Sequence, residues 1–185
     1  MEQPQIPMCF KVVLVGDGGV GKSTYVNRLK TGEFKRKYIP TQGVDVIPLT
    51  FSTNYGTIIF KVWDCAGQEK FEGLRDGYWI GAQAALFMFN VTNQSTFEKL
   101  PTWMKDVHRV TNEIPFVICG NKCEIGNYRQ VTNQQINHIL GGKNLTNDPS
   151  DSKYFDISAR SNYNFEKPWV SLARQLTGYG DLIIL

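Results

Sequence analysis

The chain has 185 residues, 42% hydrophobic and 20% charged, with a formal net charge of +3. That length suits one domain with a substantial core and is short for two, and the composition excludes a disordered chain. So small a net charge gives no reason to invoke nucleic acid, and the single compact basic run, Lys35-Arg36-Lys37, reads as a solvated loop face.

Residues 1–8 hold Pro4 and Pro7 among polar residues and are expected to form a loose tail. Residues 9–15 are apolar nearly throughout, as suits a strand covered on both faces. They run straight into Gly16-Asp17-Gly18-Gly19-Val20-Gly21-Lys22-Ser23, the pattern G-x-x-x-x-G-K-S. Glycines let such a loop turn its backbone N–H groups toward an anion, and the helix that follows offers its positive end to the same anion. In this pattern Lys22 can reach terminal phosphates and the Ser23 hydroxyl can ligate Mg²⁺. Strand, spacing and Lys-Ser agree, so a phosphate-binding loop is expected in place of an ordinary glycine-rich turn. Residues 17–24 are its candidate phosphate contacts: Asp17, Gly18, Gly19, Val20, Gly21, Lys22, Ser23 and Thr24.

A helix over residues 21–30 is expected to stop near Gly32. Residues 31–43 show no period and read as a mobile loop containing Tyr38, Pro40 and Thr41. Residues 44–51 and 57–62 read as two strands joined through Asn54-Tyr55-Gly56, a hairpin signal. Asp64-Cys65-Ala66-Gly67 follows the second of them. An Asp at the end of an apolar strand, downstream of a phosphate loop, is placed to hold the water shell of Mg²⁺, and the Gly67 N–H can approach a γ-phosphate. Residues 68–79 mix charge, glycine and aromatics and read as a second mobile segment.

Residues 84–91 form a fourth strand, and residues 95–110 a helix with Phe97, Leu100, Met104 and Val107 at core spacing. A fifth strand over 115–120 ends in Asn121-Lys122-Cys123-Glu124. A short helix over 131–140, a polar loop through Pro149, a strand over 153–157, the turn Ser158-Ala159-Arg160 and a closing helix over 164–177 complete the chain. Strand and helix alternate from the fourth strand on, so a mostly parallel six-stranded sheet with helices on both faces is expected, an α/β architecture.

No stretch approaches the roughly 18 consecutive apolar residues of a membrane helix, and no signal-peptide pattern opens the chain. A soluble intracellular protein is expected. With no Gly after Met1 and no Cys near the end, no lipid anchor is expected. Cys9, Cys65, Cys119 and Cys123 form no C-x-x-C pair and no zinc-type spacing with His108 or His138, so they read as reduced thiols.

The phosphate loop leaves the base open, and Asn121-Lys122-Cys123-Glu124 addresses it. A carboxylate can accept from both the ring N–H and the exocyclic amino group of guanine, donors that adenine lacks on that edge. A buried carboxylate left without them would be costly, and a polar site rejects the wrong base in this way. Ser158 and Ala159 would add backbone contacts to the base carbonyl, with Arg160 beside them. In this order, after a phosphate loop and Asp-x-x-Gly, these motifs form a small-GTPase signature.

From residue 10 to 178 the sequence resembles the Ras superfamily, and within it the Ran-like, nuclear-transport branch. The carrying residues are Gly16-Asp17-Gly18-Gly19, Thr31-Gly32-Glu33-Phe34, Trp63-Asp64, Gly67-Gln68-Glu69-Lys70-Phe71, Gly73-Leu74-Arg75-Asp76-Gly77-Tyr78 and, most discriminating, Ser161-Asn162-Tyr163-Asn164-Phe165-Glu166-Lys167-Pro168. The resemblance implies a P-loop small-GTPase domain over residues 9–178, after the tail at 1–8 and before a remnant at 179–185. It also implies a GTP/GDP switch with Mg²⁺ held by Ser23, Thr41 and, through water, Asp64. Gln68 would orient the attacking water, Tyr38 would help arrange Gln68, and Thr41 would close over the metal. Hydrolysis would be slow alone and stimulated by an activating protein. Implied partners are importin-β-type carriers, exportins, an exchange factor, a GTPase-activating protein, Ran-binding proteins and a nuclear transport factor. The implied location is nucleus and cytoplasm, as a monomer without direct nucleic-acid contact. Rival readings are a Rab-like vesicle-traffic GTPase and a GTP-bound interaction module that scarcely hydrolyses.

Three features depart from that branch. Glu124 stands where Asp is usual and is longer by one methylene, and Cys65 replaces a usual Thr. Residues 137–152 lack the basic cluster that contacts acidic partners. The apolar end Asp181-Leu182-Ile183-Ile184-Leu185 replaces a linker, helix and acidic tip, and is expected to be exposed, in a shortened chain or a naturally short member.

Overall fold

The computed structural model describes residues 6–35, 37, 39–66, 72–141 and 152–185. Six strands form one sheet in the order β2-β3-β1-β4-β5-β6. They are β1 (Met8–Val15), β2 (Val44–Thr53), β3 (Gly56–Cys65), β4 (Ala84–Asn90), β5 (Phe116–Asn121) and β6 (Tyr154–Asp156). Only β2 runs antiparallel, joined to β3 through the Asn54-Tyr55 turn. The other neighbours are parallel.

Burial of both sheet faces explains the near-continuous apolar character of the central strands. Along β1, Val12 and Leu14 point into one core and Val13 and Val15 into the other. The same alternation splits β4 into Ala84, Leu86 and Met88 against Ala85, Phe87 and Phe89. The first core is closed by α1 (Lys22–Thr31), through Tyr25 and Val26, and by α6 (Lys167–Thr177), through Trp169, Leu172 and Ala173. The second takes Trp79 from α2 (Glu72–Trp79), Phe97 from α3 (Gln94–Glu98), Leu100, Trp103 and Val107 from α4 (Leu100–Thr111) and Ile136 from α5 (Asn133–Ile139). Parallel strands deliver their C-terminal ends, and the loops after β1, β3, β5 and β6, to one rim of the sheet.

Several elements differ from the expected ones. The helix expected over 95–110 is two, α3 and α4, meeting at Lys99. Pro101 has no N–H to give to an α3 carbonyl and fits the first turn of a new helix instead. Pro168 sets the start of α6 in the same way, three residues later than expected. Of the segment expected to be mobile over 68–79, residues 72–79 form α2, and Trp79 is buried. Charge and glycine hid an amphipathic turn that packs its aromatic end inward.

The apolar C-terminal end is not left exposed as expected. Leu182 is fully buried in the first core, and Arg174 Nε donates to the Leu182 carbonyl at 2.9 Å. Ile184 bridges Thr53 in antiparallel fashion, and the Tyr179 ring stacks on Tyr55 with centroids 4.2 Å apart. Ile183 and Leu185 remain exposed.

Candidate functional site

A cleft opens at the rim where β1, β3, β5 and β6 end. One part, of about 550 Å³, is lined by Gly18, Lys22, Ser23, Thr41 and Asp45. A second, of about 440 Å³, is lined by Phe34, Asn121, Lys122, Glu124, Ala159 and Arg160. Gly19, Gly21 and Thr24 border both, so the two parts adjoin.

The first part is built by the turn from β1 into α1. Gly16 has φ +153°, and a Cβ there would collide with the Met88 carbonyl oxygen of β4. Gly21 caps α1 in a left-handed conformation, and no side chain caps the N–H groups behind it. Asn93 and Thr132 do cap α3 and α5 with their side chains. The N-terminus of α1 therefore keeps donors and dipole for an anion. Lys22 is 6% exposed, and its ammonium donates to the Gly16 carbonyl at 2.7 Å and the Asp17 carbonyl at 2.9 Å. Burial lowers its pKa, while Asp64 opposes that shift.

Hard oxygen groups gather beside Lys22. Ser23 Oγ and Thr41 Oγ1 lie 2.7 Å apart, bringing a residue of α1 onto one of the loop that follows. Asp64, at the end of β3, is fully buried, and neither carboxylate oxygen makes a hydrogen bond to a described residue. Burial pushes its pKa up; the nearby Ser23 hydroxyl and Lys22 ammonium oppose that shift. Two hydroxyls and an orphaned buried carboxylate are the donor set that a small hard cation takes, with water and phosphate oxygens completing its shell. The residues present fit Mg²⁺.

The second part rests on Asn121. Its Nδ2 donates to the Val20 carbonyl at 2.8 Å, and its Oδ1 accepts from the Ala159 N–H at 3.1 Å. Lys122 holds a left-handed φ of +67°, and its Nζ reaches the Gly19 carbonyl at 3.0 Å. Ser158 is fully buried, and its Oγ accepts from the Ser161 N–H at 2.9 Å, which fixes the turn after β6. Glu124, Ala159 and Arg160 line the cavity itself. The motifs read from sequence thus converge on one cleft. Three expected site residues, Tyr38, Gly67 and Gln68, lie outside the described residues.

A protein-family model described as the Ras family matches residues 11–178. The chain belongs to the Ras family. The six-stranded sheet with its single antiparallel strand is the small-GTPase form of the P-loop fold. Ras-family domains are GTP-hydrolysing switches that bind GTP or GDP with Mg²⁺.

Several residues of this GTPase's cleft escaped the sequence motifs. Phe34 entered only as part of a family-like run, yet its ring lines the base end of the cleft, with the Arg28 guanidinium 5.5 Å from its centroid. Its signal was an aromatic just past the C-cap of α1. Beneath the base loops, Asp156 accepts from Arg129 Nη1 at 2.7 Å and from the Tyr154 hydroxyl at 2.5 Å, and its carbonyl accepts from Asn164 Nδ2 at 2.9 Å. This network ties β6 to the turns around it. No spacing announced it, because Arg129 and Asp156 are 27 residues apart.

Proposed function

We propose that this GTPase is a Ran-like switch that controls nucleocytoplasmic transport through GTP-dependent binding to importin-β-type carriers and exportins. The observation that carries the finer reading is the run from Ser161 to Pro168. The run packs at the first core: the Phe165 carbonyl accepts from the Tyr25 hydroxyl at 2.6 Å, and the two rings meet edge to face. That contact joins the discriminating segment to α1, the helix of the phosphate loop.

In the reaction, the N–H groups at the start of α1 and the Lys22 ammonium would bind β- and γ-phosphate oxygens. Ser23, Thr41 and, through water, Asp64 would hold Mg²⁺, which when bound neutralises charge developing on the phosphates. Gly67 would bind the γ-phosphate through its N–H, and Gln68 would orient the attacking water, arranged in turn by Tyr38. Glu124 would accept from guanine, with Asn121 and Lys122 fixing its loop and Ser158, Ala159 and Arg160 closing the other side. Loss of the γ-phosphate would release the loop bearing Thr41 and the segment around Gly67 together. Hydrolysis would be slow alone and stimulated by an activating protein, with an exchange factor resetting the switch. Ran-binding proteins, a nuclear transport factor and residence in nucleus and cytoplasm belong to the same reading.

The deciding experiment is the affinity of an importin-β-type carrier for the protein loaded with GDP or with a non-hydrolysable GTP analogue. Tight binding only in the triphosphate state is expected. No binding in either state, with loading verified, would overturn the transport reading and favour a traffic-type, Rab-like partner set. Failure of cell extract to accelerate single-turnover hydrolysis would favour a GTP-bound interaction module.

A further inference from the structure

The second residue of the phosphate loop is an acid. Asp17 sits between Gly16 and Gly18, where a free carboxylate would face a ligand carrying several negative charges. It does not line the cleft, although Gly18 and Gly19 do. Two donors from the start of the α4 region take it the other way. Trp103 Nε1 donates to Asp17 Oδ1 at 3.0 Å, and Lys99 Nζ pairs with Asp17 Oδ2 at 2.9 Å. The acid's side chain is left 13% exposed.

The clamp is itself braced. Trp103 is 6% exposed, and the Arg75 guanidinium of α2 lies 4.7 Å from its ring centroid and 5.8 Å from that of Trp79. A cation held between two indoles fixes the Trp103 plane and so the direction of its N–H. The Asp17 carbonyl meanwhile accepts from Lys22 Nζ. One residue thus joins the phosphate-loop lysine, through its backbone, to α4, through its side chain.

We infer that Lys99 and Trp103 are positioning residues for nucleotide retention: they hold the Asp17 carboxylate out of the phosphate cleft and neutralise it. The inference rests on the reading of this cleft as a nucleotide site. A charge-assisted pair plus an N–H donor to the same carboxylate is stronger than an isolated exposed ion pair. Without the lysine, the carboxylate keeps the indole N–H and, among the described residues, the attraction of the Lys22 ammonium, and a larger part of its field reaches the phosphates across a low-dielectric loop.

The test is the rate at which a fluorescent GDP analogue leaves the protein in fixed Mg²⁺ and excess unlabelled GDP. Lys99→Ala and Trp103→Phe are each expected to speed release roughly three- to tenfold, the range of modest changes in charge compensation. Lys99 is half exposed, so its loss leaves the fold intact. The Lys99→Ala effect is expected to shrink as KCl is raised, because an uncompensated charge is screened by salt. In an Asp17→Asn background, where there is no charge to neutralise, Lys99→Ala is expected to have no further effect. An unchanged release rate in both single variants, or an equal acceleration by Lys99→Ala with and without the Asp17 charge, would overturn the inference and leave the nucleotide reading standing. Failure of the wild-type protein to retain the analogue at all would overturn both.

Discussion

Asn121 and Val20 are 101 residues apart in the chain, and the asparagine's amide donates to the valine's carbonyl at 2.8 Å in a fully buried hydrogen bond. The same side chain accepts from the Ala159 N–H. A single amide therefore connects the phosphate loop, the end of β5 and the turn after β6. Asn121→Ala would orphan a buried carbonyl and a buried N–H, at about 1–3 kcal/mol each. The expected result is a fall of about 2–6 kcal/mol in stability by denaturant titration, together with faster loss of bound nucleotide. An unchanged unfolding midpoint would mean that Asn121 does not hold the three loops together.

Two glycines of the phosphate loop separate collision from conformation. At Gly16 a side chain would need both an unfavourable φ and space already filled by the Met88 backbone; at Gly19 φ is +77° with nothing within 4 Å of a Cβ. Gly16→Ala is expected to cost about 3 kcal/mol or more, since either the loop or β4 must move. Gly19→Ala is expected to cost about 1–2 kcal/mol, from the left-handed backbone alone. Equal destabilisation of the two variants in thermal melts would contradict the crowding at Gly16.

Asp64 stores an unfavourable charge that the proposed Mg²⁺ site requires. Its buried carboxylate has no hydrogen-bond partner among the described residues, so the metal-free protein bears the desolvation of that group. Asp64→Asn removes the charge at nearly constant volume. In EDTA the variant is expected to melt higher than the wild type by on the order of 1–2 kcal/mol of stability. In Mg²⁺ its nucleotide retention should fall by at least about tenfold, as expected when a carboxylate that positions the metal's water shell is lost. A variant less stable than the wild type in EDTA would show that the carboxylate has a partner.

Gln68 carries the proposed hydrolytic step. Gln68→Leu should retain GTP and lose stimulated hydrolysis, because the attacking water loses its positioning partner while the phosphate contacts remain. A single-turnover assay with activator distinguishes the outcomes: a stimulated rate equal to wild type would take Gln68 out of the mechanism.

The legible parts of this chain were those in which one physical requirement fixes the residue type at fixed spacing. The phosphate loop needs glycine where the chain turns and a cation at the first residue of the helix, so residues 16–23 read directly from sequence. The base loops read almost as well, because Asn121 ends the apolar strand β5 and Ala159 lies in the turn that follows β6. The relationships that were not legible depend on distant partners. Trp103 is not among the core positions that the spacing of its helix picks out, and only tertiary packing shows its N–H directed at Asp17. The break at Lys99 was present in sequence as Pro101, but apolar spacing continued across it and concealed the division. The same limit hid α2, whose buried side chains among the described residues are Arg75 and Trp79, four apart.

The C-terminal end shows the sharpest reversal between pattern and packing, and it makes the last prediction. Asp181-Leu182-Ile183-Ile184-Leu185 reads as an apolar end with nothing to cover it, yet the hairpin joining β2 and β3 supplies the cover. Asn54 Oδ1 accepts from the Ile183 N–H at 2.9 Å, the Leu185 N–H reaches the Ser52 carbonyl at 2.9 Å, and the Tyr55 hydroxyl donates to Asp181 at 2.7 Å. Leu182 then drops into the first core beside α6. Leu182→Ala is expected to cost about 2–4 kcal/mol, the range for a buried leucine whose cavity only partly closes. Tyr55→Ala removes an exposed stack and hydrogen bond and should lower stability less than Leu182→Ala does. Because β2 follows the loop carrying Thr41 and β3 leads to Asp64, loosening this anchor should also raise amide exchange along the hairpin. Exchange that stays at the wild-type rate in Leu182→Ala would mean that the tail rides on the hairpin without holding it.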